Sequence, residues 1–140
     1  MPHAELNIST RGQGLSEITH QVAGALARLM DAGASTDGLC TVFIRHTSCS
    51  LVIQENADPT ARGDLEAWLS RLVPEHDPLY EHTAEGPDDM PAHIKAALTA
   101  TSLGIPLDGG RMMLGTWQGV YLWEHRRSPH QRRVVVHVSG

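Results

Sequence analysis

The sequence of 140 residues contains no hydrophobic run that approaches the roughly 20 residues of a membrane-spanning helix. It also has no basic N-terminal region followed by an apolar run, which is the pattern of a secretory signal. The net charge is −5, whereas binding to nucleic acid without sequence preference requires a basic surface. We therefore expect a cytoplasmic protein that binds neither membranes nor nucleic acid.

Cysteine is scarce as well. Cys40 and Cys49 are the two cysteines of the chain, and their spacing fits neither a metal motif nor a disulfide framework. Cys40 lies inside an apolar run and is expected to pack as a small hydrophobic residue. With 41% hydrophobic and 19% charged residues, the composition is typical of a globular protein, and the length fits one domain over residues 1–140.

Four runs have the patterns of β-strands, in addition to the strands of the hairpin region described below. Residues 3–10 alternate polar and apolar side chains, which is typical of a half-buried strand. Residues 38–46 are rich in β-branched and apolar side chains and predict a central strand, and residues 51–56 predict a second one. Residues 134–138, VVVHV, predict the last strand of the sheet.

Three helices are expected. Ser16 is a candidate N-cap for a helix that ends near Ala32, and Asp58 with Pro59 opens a second helix that stops before Pro74. A third helix begins near Asp89 or Met90. The second helix is predicted to bury one apolar face, formed by Leu65, Trp68, Leu69 and Leu72.

Hairpins dominate the second half of the chain. Asp108-Gly109-Gly110 is a strong hairpin turn signal between two short apolar runs. Residues 115–125 predict a long strand with a glycine break at its start. Because strands and helices mix without a regular βαβ repeat, we predict an α+β fold, mainly antiparallel β-sheet with about three helices, in a single compact domain.

The stretch from residue 80 to residue 98 has hardly an apolar side chain before Met90, so it cannot be a core element. It carries His82 and His93 around a Gly-Pro turn. Asp89 is four residues before His93, so the two share a face if both are helical. Imidazoles with a carboxylate are suited to zinc or another divalent ion of the first transition row. The alternative is an N-capping aspartate beside solvated histidines.

His46 ends the predicted central strand and is followed by Thr47 and Ser48, so polar groups leave the sheet where the chain turns. A turn histidine bonded to the backbone is the alternative. The third helix would attract an anion such as phosphate at its N-terminus, with Lys95 in reach. Arg126 and Arg127 follow a predicted strand and are suited either to bind an anion or to form a solvated edge. For Lys95, too, a solvated surface charge is the alternative.

Glycines flank Thr116, Trp117 and Gln118, and such a run permits a bulge or the close approach of a ligand. Trp117 is suited either to stack on a ring-shaped ligand or to fill the core. The residues alone leave this choice open.

Three motifs together resemble one family. Residues 46–59, 82–98 and 114–126 are similar, in this order, to the YjbQ-like family, whose members are described as secondary thiamine-phosphate synthases. The resemblance covers nearly the whole chain. It implies a small α+β protein that is typically a homotrimer and has a weak synthase activity, which joins a pyrimidine methyl diphosphate to a thiazole phosphate.

The resemblance also suggests roles for individual residues. The metal ligands are expected to be His46, His82 and His93, with zinc as the first choice of ion and magnesium as the second. Catalytic roles are expected for Glu85, Asp88, Lys95 and Gln118. A small phosphorylated ligand is expected to contact Thr47, Ser48, Asn56, Met90, Thr116 and Trp117. Cys49 occupies a small-residue position and is not expected to be a nucleophile.

Two other functions remain open at this stage. One is a trimeric protein that binds a metal or a small ligand and whose synthase activity is incidental. The other is a metal-dependent hydrolase of small phosphorylated or acyl compounds, because an ion held by histidines with an open position also activates water.

Overall fold

The computed structural model describes residues 3–140, which form eight strands and three helices. In chain order the elements are β1 (His3–Ser9), β2 (Gly14–Glu17), α1 (Thr19–Asp31), β3 (Leu39–Ile44), β4 (Cys49–Glu55), α2 (Pro59–Leu72), α3 (Asp89–Leu98), β5 (Ser102–Asp108), β6 (Arg111–Met112), β7 (Gln118–Glu124) and β8 (Gln131–Ser139). No helix among these residues is both long and apolar enough to cross a membrane.

The strands form two antiparallel sheets. The larger sheet has the order β1-β8-β3-β5-β6, and the smaller one has the order β2-β7-β4. Every strand pair within the described chain is antiparallel. The predicted α+β class, the antiparallel sheet and the number of helices are therefore confirmed.

The main core lies between the two sheets and α1. Helix α1 has apolar residues at helical spacing, and Val22, Ala25, Leu26 and Leu29 of this face are buried. The alternating positions of β8 and β3 supply much of the rest, including Val42, Val134 and Val136. Cys40 is fully buried in this core, as its apolar surroundings predict.

The predicted start of α1 is wrong by two residues, because the N-cap is Ile18 and not Ser16. Ser16 does not cap the helix but lies in β2, where it pairs with Leu122 of β7. The reason is tertiary: Leu15 next to it is buried, and strand pairing with β7 satisfies the backbone here. The hydroxyl of Thr19 then accepts a hydrogen bond from the Val120 amide, and the helix begins there.

Helix α2 begins as predicted, because the Asp58 side chain accepts a hydrogen bond from the Thr60 amide at 3.0 Å and Pro59 occupies the first turn. Its apolar face is only partly covered. Leu69 is buried, but Trp68 and Leu72 are each 51% exposed. Leu69 packs with Leu15, Tyr121 and Trp123 of the small sheet, and Leu65 is partly buried against this cluster.

The predicted hairpin at residues 108–110 is also present. Gly109 and Gly110 have φ angles of 56° and 84°, which residues with a side chain rarely adopt, and they join β5 to β6. Trp117 is 64% exposed and precedes β7, so it does not fill the core. The strand begins only at Gln118, because the chain turns at residues 115–118 with a backbone bond from the Gln118 amide to the Gly115 carbonyl.

Candidate metal site

Helix α3 and the segment before it bring three ligand atoms together. Asp89 and His93 lie one helical turn apart, as their spacing predicts, and project from the same side of α3. His82 belongs to the polar stretch that leads into the helix. Nε2 of His82, Oδ2 of Asp89 and Nε2 of His93 all lie within 4.8 Å of one another.

Both imidazoles face the same carboxylate oxygen. The distance from Oδ2 of Asp89 is 2.7 Å to Nε2 of His82 and 3.2 Å to Nε2 of His93. The two ring centroids are 5.3 Å apart. Two imidazoles that converge on one carboxylate oxygen form a compact set of donors for a single cation.

The hydrogen bonds of His93 indicate why a cation fits this position. Nδ1 of His93 lies 3.0 Å from the carbonyl oxygen of Thr47, and a carbonyl only accepts, so Nδ1 carries a proton. In the neutral ring, Nε2 then presents a lone pair to Oδ2 of Asp89, which is also an acceptor. A second proton or a metal ion must lie between two such atoms, and the geometry accommodates either one.

Arg126 fixes the carboxylate from its other side. Its Nη1 donates to Oδ1 of Asp89 at 2.8 Å, its Nε donates to Oδ2 of Asp88 at 2.9 Å, and its Nη2 donates to the Glu85 carbonyl. The side chain of Asp89 is only 3% exposed and that of Arg126 16% exposed. Outer partners of this kind orient metal ligands in known sites.

The side chain of Asp88 is part of this hydrogen-bonded network and is not solvated. Burial alone would raise the pKa of its carboxyl group, but hydrogen bonds from the Arg126 side chain and the Arg127 amide outweigh burial and lower the pKa. Asp88 therefore stays ionised. Both donors bind Oδ2, so this oxygen of Asp88 holds Arg126 in place, and a catalytic role for Asp88 stays a prediction.

The site is open to solvent on the histidine side. The side chain of His82 is 49% exposed and that of His93 is 32% exposed. Two imidazole nitrogens and one carboxylate oxygen are a ligand set of catalytic zinc sites, in which a fourth position is left for water or substrate. The residues present therefore fit a divalent ion.

His46 lies near His93, and both side chains line a shallow hollow on this surface. However, Nε2 of His46 accepts a hydrogen bond from the Arg133 amide at 2.8 Å, and Nδ1 lies 3.4 Å from Nη1 of Arg132. Nε2 of His46 is therefore occupied, and Nδ1 faces the guanidinium of Arg132, whose positive charge would repel a metal ion. Asp89, and not His46, is the third member of the group formed with His82 and His93.

Lys95 does not join the metal site either. It follows His93 by two residues and therefore projects from another side of α3. Its side chain lines a separate cavity, beside His125. Met90, in contrast, lines a hollow of about 290 Å³ together with His82, so it lies next to the ligand set.

The remaining residues expected near a ligand fall into two groups. Thr47 contacts the site through its carbonyl, whereas the Ser48 hydroxyl accepts a hydrogen bond from Arg132. A second group lies together at the start of β7, where the Asn56 amide donates to the Trp117 carbonyl and Gln118 accepts from Gly115.

Within one chain this second group lies far from Arg126. Strand β7 separates the two, and its seven residues span about 20 Å. Thr116 precedes the same strand and is exposed with Trp117 and Gln118. The structure therefore does not bring Asn56, Thr116, Trp117 and Gln118 to the histidines of the same chain.

The sequence did not reveal the role of Arg126, because the pattern around this residue fits a solvated surface charge equally well. The available signal was that Arg126 follows a predicted strand and that the chain also contains a run of acidic residues. However, spacing in the sequence cannot show that Arg126 pairs with Asp89, which lies 37 residues away. The Glu85 carboxylate is exposed, and the contact of this residue with Arg126 is made by its backbone.

Known proteins share this chain's sequence and fold. The model of the family described as UPF0047 protein YjbQ-like matches residues 4–140. A UPF0047 protein of Synechocystis is 56% identical over 135 residues, which are 96% of this chain and 89% of that protein. The UPF0047 protein YjbQ of Escherichia coli O157:H7 is 41% identical over 96% of this chain and 95% of its own length.

Solved structures have the same fold. A conserved hypothetical protein from Thermus thermophilus superimposes with a TM-score of 0.85 at 37% identity, over 97% of this chain and 99% of that one. An uncharacterized member of the YjbQ/UPF0047 family from Clostridium acetobutylicum gives a TM-score of 0.86 at 34% identity, with the same coverage.

Proposed function

Because the chain belongs to the UPF0047 protein YjbQ-like family, we propose that it binds a divalent cation between His82, Asp89 and His93 and acts there on a small phosphorylated compound. The observation that carries this proposal is the convergence of two imidazole nitrogens and one carboxylate oxygen within 4.8 Å. The gap between Nε2 of His93 and the carboxylate oxygen has room for this ion, in the place that a second proton of the imidazole would otherwise occupy.

The charges around the site favour an anionic substrate. The carboxylates of Asp88 and Asp89 offset the guanidinium of Arg126 and half of the charge of a divalent ion. A bound ion would present its open coordination position, and with it its positive charge, on the exposed side of the histidines. Phosphate or diphosphate oxygens would be attracted to this position, whereas a cationic substrate would be repelled.

The proposed reaction joins a pyrimidine methyl diphosphate to a thiazole phosphate with loss of diphosphate. This follows the resemblance to thiamine-phosphate synthases of the family. A divalent ion would neutralise charge on the departing diphosphate. Arg126 has all three nitrogens engaged by protein acceptors, so it contributes fixed charge and the orientation of Asp89 rather than a direct bond to substrate.

The metal part of the proposal is tested by metal analysis of protein purified without a histidine tag. We expect about one ion per chain, with zinc retained more tightly than magnesium. His93→Ala should lose the ion. His20→Ala, on the exposed surface of α1, is the matched control and should keep it. Equal retention by both variants would remove His93 from the site.

The reaction is tested with the two thiamine precursors. A physiological synthase should turn over at about 1 per second or faster, and His93→Ala should abolish the activity. Turnover that is orders of magnitude slower, with the ion still tightly bound, would favour a metal- or ligand-binding protein. Release of phosphate from simple phosphate esters would instead favour the hydrolase, which the exposed position beside His82 supports.

We also propose that the chain assembles as a homotrimer through the outer face of the large sheet. Leu39 and Phe43 of β3 are 42% and 45% exposed on this face, and the intervening Thr41 pairs with Gly104. Large apolar side chains beside a glycine on an uncovered sheet face form a flat surface suited to a second copy.

A further inference from the structure

Lys95 is the only lysine in a chain that has ten arginines. A lone lysine on a short helix is usually a solvated charge, but this one is only 5% exposed. Within residues 3–140, its ammonium group makes no hydrogen bond and no ion pair. An ammonium group has three donors, and no acceptor among these residues engages them, so their partners come from whatever fills the open space that Lys95 lines.

That space is a cavity of about 340 Å³ between α2, α3 and β7. We call it the Lys95 cavity. Leu69 and Trp123 form its apolar walls, His125 forms part of its floor, and the rim includes the exposed residues Gln13 and Ser70, where it opens to solvent. None of the three residues of the metal site lines it.

Among residues 3–140, Lys95 is the only positively charged residue that lines this cavity. Burial lowers the pKa of His125 to about 3, so its ring is neutral at physiological pH, and the ring is already bonded to the Ser50 hydroxyl at 2.9 Å. Glu124 also lines the cavity, but Arg132 and Thr10 hold its carboxylate. Glu66 lies at the edge, where its Oε2 accepts from the Leu15 amide.

These charges select among anions. One ammonium group balances one negative charge. The carboxylates that line the cavity, and those of Glu75 and Asp88 near Lys95, disfavour a second one. A phosphate dianion would therefore be poorly compensated. A carboxylate has one charge and oxygens that accept from an ammonium group, and an attached ring or short apolar chain would pack on Trp123 and Leu69.

We propose that the Lys95 cavity is a second ligand site, distinct from the metal site, that binds a small monocarboxylate through the ammonium group of Lys95. The carboxylate accepts hydrogen bonds from the ammonium group, and the apolar part of the ligand displaces water from the Trp123 wall. The cavity volume lies at the lower end of the range for small-molecule sites, so the ligand is compact.

The first test follows the fluorescence of Trp123. Trp68 and Trp117 are exposed, so Phe at both positions leaves Trp123 as the single reporter, and it lies in the cavity wall. Benzoate should produce a saturable change. Benzyl alcohol, which has the ring but no charge, and inorganic phosphate should produce little. Lys95→Met should weaken benzoate binding about tenfold or more, as expected for loss of a charge-assisted hydrogen bond.

The second test uses wild-type protein and does not depend on whether Lys95→Met folds. Acetylation of the single lysine is followed by mass spectrometry of its peptide, and benzoate should slow it several-fold at saturating concentration. His93→Ala should bind benzoate as tightly as wild type, since the metal site is separate. A non-saturable response, unchanged affinity in Lys95→Met, no protection from acetylation, or equal binding of phosphate would each overturn the proposal.

Discussion

Arg126 and Asp89 are joined by a hydrogen bond of 2.8 Å between Nη1 and Oδ1, which leaves the other carboxylate oxygen facing His82 and His93. The guanidinium comes from the second residue after β7, and the carboxylate comes from the first turn of α3. The ligand set therefore depends on a contact between two elements that are distant in sequence.

Replacing Arg126 tests this dependence. We expect Arg126→Gln to lower zinc affinity about 10- to 100-fold, because Asp89 loses the partner that orients it. Stability should also fall, by about 3 kcal/mol, because two largely buried carboxylates lose their counter-ion. Titration calorimetry with zinc and chemical unfolding measure the two effects.

The control for Arg126 is Arg28→Gln, at an exposed position in the last turn of α1. It removes the same charge from the chain but touches neither carboxylate, so zinc affinity should be unchanged. If both variants bind zinc as wild type does, the contact between Arg126 and Asp89 has no part in metal binding.

His125 predicts a pH dependence of stability. Burial, followed by the charge of Lys95 and the weaker effect of Arg132, lowers its pKa from 6.5 to about 3, with Glu124 opposing. Below pH 6.5 the unfolded chain takes up a proton at this residue and the folded chain does not. The free energy of unfolding should therefore fall by up to roughly 1.4 kcal/mol per pH unit as the pH drops from 6.5 towards 3.

Chemical unfolding at about pH 7 and about pH 5 measures this loss while most carboxylates remain ionised. His125→Gln, which retains a hydrogen-bonding group near Ser50, should have a shallower dependence. His20→Gln removes an exposed histidine and should leave the dependence as in wild type. An identical slope in wild type and His125→Gln would contradict the assignment.

Two glycines with opposite surroundings provide a paired test of the backbone. A Cβ atom at Gly38 would lie 1.8 Å from the Ser139 carbonyl oxygen, so Gly38→Ala must displace the chain beside the end of β8. We expect a loss of about 1–3 kcal/mol. Gly24 lies within α1 with nothing near its missing Cβ, and Gly24→Ala should gain roughly 1 kcal/mol because alanine favours the helix. Thermal unfolding of both variants shows whether each substitution raises or lowers the stability.

The proposed trimer is tested at Phe43. Phe43→Glu places a charge in the centre of the outer sheet face and should convert the trimer to a monomer in size-exclusion chromatography with light scattering. Leu79→Glu is the control, because Leu79 is 85% exposed in the segment between α2 and α3. A wild-type monomer, or a Phe43→Glu trimer, would argue against this surface as the contact.

Local signals in the sequence predicted local structure well. Asp58 with Pro59 and the turn at Gly109-Gly110 are determined by groups within a few residues, so their patterns were sufficient. The pair Asp89 and His93 was likewise visible from helical spacing. Ser16 was misassigned because strand pairing with β7, more than 100 residues away, outweighed its preference for a helix cap.

The environments of charged side chains were not predictable in this way. Arg126 and Lys95 each fit the pattern of a solvated charge, yet both are largely covered. His46 had the right residue type for a metal ligand, but the neighbouring Arg132 and Arg133 lie on β8, and their proximity depends on the pairing of β3 with β8. The burial and the neighbours of these side chains depend on how distant segments pack, and no periodic pattern in the sequence indicates them.

The position of β7 determines where this protein can tolerate an inserted residue. The strand lies between β2 and β4, and its end delivers Glu124, His125 and Arg126 to three different neighbours in successive residues. An inserted residue anywhere along it would turn each of these side chains to the opposite side at once. The segment between α2 and α3 supplies His82 to the metal site and the Glu85 carbonyl and Asp88 to Arg126, so a change in its length is tolerated only before His82.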